Sequence, residues 1–115
     1  MDWQQIELMG YSYYAGKGYR ILAPLVRTDG YDFVAEKAGE FVRVNVKTAG
    51  LKDKSDPESW SISQASGVRV KPTDSHQVDV YLTWLPSQDR FIELDGDFLN
   101  GGNSKSKRIP KGLLG

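Results

Sequence analysis

Tyr31-Asp32-Phe33-Val34-Ala35-Glu36-Lys37-Ala38-Gly39-Glu40-Phe41-Val42-Arg43-Val44-Asn45-Val46-Lys47-Thr48 decides how this chain is read. A short apolar run opens on an acid, Ala38-Gly39 supplies a two-residue turn, and a β-branched run returns. In the returning run Val42, Val44 and Val46 fall on one face, while Phe41, Arg43, Asn45 and Lys47 fall on the other. The polar row makes a poor core, so that face is expected to meet water, a ligand or DNA. Read as a hairpin, the stretch brings the Asp32 carboxylate, the Asn45 amide and the Lys47 ammonium to one end of a small sheet. Such a group suits a hard divalent cation beside a phosphate.

Working outward from the hairpin, residues 2–15 read as a short helix. Asp2 is its N-cap, Trp3, Ile6, Met9, Gly10 and Tyr13 recur at helical spacing, and Gly16-Lys17-Gly18 ends it. Tyr19 to Ala23 reads as a buried strand stopped by Pro24. After a polar loop over 51–58, Trp60 to Ala65 is a candidate strand. Val78 to Leu85 and Arg90 to Leu94 form a second hairpin across Pro86-Ser87-Gln88-Asp89. From Gly101 the chain turns Gly-, Asn-, Ser- and Lys-rich. The order is a helix followed by a mixed sheet, an α/β or α+β domain.

Composition narrows the chemistry. The 115 residues suit one core, and 15 basic residues balance 15 acidic ones, which argues against a protein that coats polyanions. With no Cys, thiolate chemistry is excluded, and the single His, His76, leaves no basis for His-rich zinc sites. No apolar run approaches the ~18 residues of a membrane span, and no signal peptide opens the chain, so a cytoplasmic protein is expected.

Four segments together resemble the PD-(D/E)XK nucleases: the helix with Glu7, Gly18-Tyr19-Arg20-Ile21-Leu22-Ala23-Pro24, Tyr31-Asp32-Phe33-Val34, and Val44-Asn45-Val46-Lys47-Thr48-Ala49. Val78-Asp79-Val80-Tyr81-Leu82-Thr83-Trp84-Leu85-Pro86 resembles the second hairpin of the small members. These are related to Holliday-junction resolvases and to phage- or intron-encoded homing endonucleases. The resemblance implies a restriction-endonuclease-like fold over residues 1–100, and composition makes residues 101–115 a basic, flexible tail. It also implies a Mg²⁺-dependent DNA endonuclease of a phage or mobile element, working as a homodimer. Carried over by position, it makes Glu7 and Asp32 metal ligands, puts Asn45 where an acid is usual, and gives Lys47 the attacking water. The Asn45 side-chain oxygen or the Val46 carbonyl adds a neutral ligand. Tyr31 stands where the motif has Pro.

Each residue also has an ordinary reading. Asp32 could be a turn carboxylate, Lys47 an edge-strand lysine, and Glu7 a surface residue. Asp79 is a reserve ligand or an outward-facing residue. Lys105, Lys107, Arg108 and Lys111 could follow a phosphate backbone or merely solvate a terminus. Tyr11, Tyr13, Tyr14, Trp60 and Trp84 could stack on bases or fill the core. Two other functions compete with the enzyme. One is a catalytically degenerate nuclease fold that binds nucleic acid or protein, suggested by Asn45. The other is a structural component of a larger assembly.

Overall fold

The computed structural model describes residues 1–26, 30–63, 78–99 and 106–115. Helix α1 runs Trp3–Ala15. Asp2 caps it by accepting from the Gln5 N–H, and the Gln5 side chain accepts from the Asp2 N–H, so two otherwise orphaned donors are met. Strands follow as β1 (Arg20–Leu22), β2 (Phe33–Lys37), β3 (Glu40–Thr48), β4 (Gly50–Leu51), β5 (Trp60–Ser63), β6 (Val80–Leu85), β7 (Arg90–Asp95) and β8 (Ser106–Arg108).

The main sheet is ordered β1-β2-β3-β6-β7. Only β3 and β6 run parallel, with Asn45 opposite Tyr81 and Lys47 opposite Thr83. All other pairs are antiparallel, which makes this the mixed sheet expected from the sequence, with β6–β7 as its second hairpin. The first hairpin turns on Ala38 and Gly39, both at positive φ (54° and 83°), a twist that matches the strands they join.

Strand alternation divides the sheet into two apolar faces. Phe33, Ala35, Val44 and Leu82 pack with Tyr14 beneath α1. Phe33 and Leu82 are wholly buried, each worth about 1.5–3 kcal/mol. Helix and sheet touch closely at Gly10, where an added Cβ would lie 3.2 Å from Val46 Cγ2 and 3.3 Å from Leu82 Cδ2. On the opposite face Tyr81, Leu85, Ile92 and Leu94 pack with Ile62, Leu99 and Ile109. The small sheet β4-β5-β8 supplies part of that cover.

Two expectations change. Strand β1 is the exposed edge of the sheet, not a buried strand, because only Ile21 turns toward the α1 side and is even half-covered. Residues 106–115, read from composition as part of a flexible tail, are folded. Strand β8 pairs with β5, and Ile109 is 2% exposed with its N–H on the Trp60 carbonyl. The apolar Ile109 at the end of a basic run is what holds it down. Among the described residues no helix is long and apolar enough to cross a membrane.

Glu93 on β7 fastens the far end of α1. Its carboxylate accepts from Tyr13 Oη (2.9 Å), Tyr14 Oη (3.0 Å) and Lys17 Nζ (3.3 Å). Burial alone would raise this carboxyl, but the two tyrosine hydroxyls and the ammonium outweigh it and hold it below its ordinary value.

Two outcomes follow from these contacts. A carboxyl lowered in the folded state stabilises the fold above the unfolded Glu value of about 4.3 and loses that contribution as pH falls through the folded value. Glu93→Gln should therefore lower Tm at neutral pH and flatten the acid limb of a stability-versus-pH curve followed by circular dichroism. Ala38→Asn should raise Tm, since Asn tolerates positive φ where Ala is strained by about 1–2 kcal/mol. An unchanged melting curve would contradict the turn geometry.

Candidate active site

The β2–β3 ladder runs from Lys37 opposite Glu40 to Phe33 opposite Val44. One residue beyond, the Asp32 N–H donates to the Val44 carbonyl (2.8 Å), and the Asp32 carboxylate accepts the Val46 N–H (2.7 Å). The side chain thus takes the place of the next backbone rung. Backbone N–H groups of a strand lie in the sheet plane, so this bond brings the Asp32 carboxylate alongside β3 rather than above or below it. From there its charge acts on the Tyr11 hydroxyl and on the Lys47 ammonium.

Tyr11 belongs to α1, on the Phe33 side of the sheet, with its ring edge-on to Phe33 at 4.9 Å. Its hydroxyl donates to Glu7 Oε1 (3.1 Å), one helical turn away. Burial, then the Glu7 charge and hydrogen bond, then Asp32, raise this phenol above its ordinary value and keep it a donor. Tyr11 therefore holds Glu7 by a hydrogen bond and feels the Asp32 charge more weakly. Of the two expectations for this aromatic, base stacking or core, the packing on Phe33 matches the core; its spacing of four from Glu7 is the signal for the hydrogen bond.

Asn45 and Lys47 point to the other face of β3, as their alternation requires. Asn45 Nδ2 donates to the Gly30 carbonyl (2.8 Å), while Oδ1 is buried with no hydrogen-bond partner among the described residues. An unmet buried acceptor costs about 1–3 kcal/mol, which points to a cation or a water there. Burial pushes the Lys47 ammonium below the ordinary lysine value, and the nearby Asp32 carboxylate offsets only part of this. The edge-lysine reading does not hold, because β3 lies between β2 and β6.

Asp79 is committed elsewhere. It accepts from the Arg43 backbone N–H (2.8 Å) and, through both oxygens, from the Arg43 guanidinium at 3.1 Å. The guanidinium holds its carboxyl below the usual range. Tyr14 and Trp84 are buried, and Trp60 packs against the core on the face away from α1. Of the basic candidates, Arg108 faces Asp56 (3.5 Å) and Lys111 faces Glu58 (3.1 Å). Lys107 lies over the Phe98 ring at 4.7 Å. Lys105 and His76 fall outside the described residues.

The donors near Asp32 are oxygens, which suits a hard cation and not a soft one. Among the described residues no three His, Cys, Asp or Glu side chains converge, so such a cation would rely on two carboxylates, a neutral amide and water.

A family model described as PD-(D/E)XK endonuclease matches residues 8–100, a span that includes Asp32, Asn45 and Lys47. The chain belongs to the PD-(D/E)XK endonuclease family. The fold is similar to that of a bacterial homing endonuclease, I-Ssp6803I, with a TM-score of 0.66 at 14% identity over 96% of this chain and 81% of that one. No curated protein matches the chain. Glu7 lies one residue ahead of the family match, so its claim rests on the contact with Tyr11.

Because burial disfavours the Lys47 charge, Lys47→Met should stabilise the protein by about 0.5–2 kcal/mol in urea denaturation. A destabilised variant would show that the ammonium is held by contacts stronger than its desolvation.

Proposed function

We propose that this chain is a Mg²⁺-dependent DNA endonuclease that hydrolyses phosphodiester bonds. The buried Asn45 Oδ1, unmet among the described residues, next in the chain to the Val46 that binds the Asp32 carboxylate, carries the reading, within a chain of the PD-(D/E)XK endonuclease family. Asp32, Glu7, the Asn45 oxygen and the Val46 carbonyl are the proposed metal ligands. A cation bound there would neutralise phosphate charge and acidify a water.

The chain's own residues do the rest. Tyr11 orients the Glu7 carboxylate through its hydrogen bond. The Val46 N–H fixes one Asp32 oxygen alongside β3. Lys47, half-buried and short of solvent, offers its positive charge to the phosphate as negative charge develops there. Low surrounding dielectric makes that charge act more strongly than it would in water.

DNA is the proposed partner, with Lys105, Lys107, Arg108 and Lys111 as backbone contacts. Arg108 and Lys111 would exchange Asp56 and Glu58 for phosphates. One such site cuts one strand, so cleavage of a duplex calls for a homodimer. A phage or mobile-element origin and a cytoplasmic setting accord with that activity. Asn45 also favours a second reading, a nuclease fold that binds nucleic acid without cutting, because a neutral ligand attracts a cation less than a carboxylate does.

Supercoiled plasmid and branched DNA with Mg²⁺ separate the two. Asp32→Asn and Lys47→Ala should each lower the cleavage rate by about 10²-fold or more, and a chelator should abolish it. Wild-type protein no more active than Asp32→Asn would leave only the binding module.

A further inference from the structure

Asn45 is half-buried in β3 with its Oδ1 atom buried, and its amide has a determined orientation. Nδ2 donates to the Gly30 carbonyl at 2.8 Å. Turning the amide over would set Oδ1 against that carbonyl, acceptor against acceptor. Gly30 lies two residues before Asp32 in the chain. Asp32 in turn meets β3 twice, through its N–H on the Val44 carbonyl and its carboxylate on the Val46 N–H. Three hydrogen bonds therefore tie residues 30–32 to residues 44–46, where β2 and β3 have ceased to pair.

We infer that Asn45 is a positioning residue, not a weakened acid: its Nδ2 staples Gly30 to β3 and so holds the Asp32 carboxylate beside Val46. The role of its other end, Oδ1, rests on the metal-dependent reading above, whereas the staple stands without it. A carboxylate is acceptor-only and has no N–H for Gly30. Asn45→Asp would place a negative, partly desolvated oxygen against the Gly30 carbonyl and drive residues 30–32 from β3. Restoring the acid usual at this motif position should therefore damage the site in this chain.

The test compares wild type, Asn45→Asp and Asn45→Ala, the last losing the donor without adding repulsion. Amide hydrogen exchange by nuclear magnetic resonance is read at Asp32 and Val46, with Leu82 and Ile92 as reporters of the whole sheet. Mg²⁺ binding is read by calorimetry without DNA. The expected result is a local loss of protection at Asp32 and Val46 of about tenfold in both variants, the equivalent of one hydrogen bond, with Leu82 and Ile92 retained. Asn45→Asp should bind Mg²⁺ no more tightly than wild type.

Unchanged protection at Asp32 and Val46 in Asn45→Ala overturns the proposal, and so does tighter Mg²⁺ binding by Asn45→Asp. If Asn45→Asp does not fold, Asn45→Ala decides alone. A wild type that binds no Mg²⁺ overturns the proposed enzymatic function, while the exchange data still decide the staple.

Discussion

The Val46 N–H reaching into the Asp32 carboxylate is the bond on which the candidate site depends. Strands β2 and β3 part at this point, and parting strands leave donors that must be met. Meeting one of them with a side chain draws a negative group into the sheet plane. The carboxylate then influences a tyrosine hydroxyl on the α1 side and a lysine on the other side. A carboxylate directed to either face would have served only one of them.

The rest of the fold keeps that fork open and rigid. Parallel pairing of β3 with β6 fixes the Asn45–Lys47 segment from its other edge, against Tyr81 and Thr83. Helix α1 is held close by Gly10 and fastened at its end by Glu93, which fixes the place of Tyr11 against Phe33. The small sheet and the Ile109 anchor close the apolar surface on the opposite face. Two packed faces thus bracket a polar seam, and the half-buried Lys47 is a local cost that this packing offsets.

Much of this was legible in the residues. The alternation Val42, Val44, Val46 against Arg43, Asn45, Lys47 assigned the two faces of β3, and Ala38-Gly39 marked the turn, because both signals are local. The Asp2 cap with the α1 periodicity was equally local. Chain spacing and strand parity set the Asp32 carboxylate against Val46, between Asn45 and Lys47 on β3. Non-local pairing was less visible. Strand β8 pairs with β5 across more than forty intervening positions, and its basic composition resembles a solvated terminus. Arg43 claims Asp79 from a neighbouring strand, and Asn45 binds a backbone carbonyl, which carries no sequence signature. The exposure of β1 follows from its place in the strand order, which a single strand's composition does not report.

Enzymatic function requires a divalent ion at the fork between β2 and β3. A crystal of the wild-type protein soaked in Mn²⁺ tests this directly through anomalous scattering. One peak is expected, within about 2.3 Å of an Asp32 oxygen and of Asn45 Oδ1. A peak confined to Asp79, Glu93 or the acids of the 52–59 loop, with none at Asp32, would contradict it.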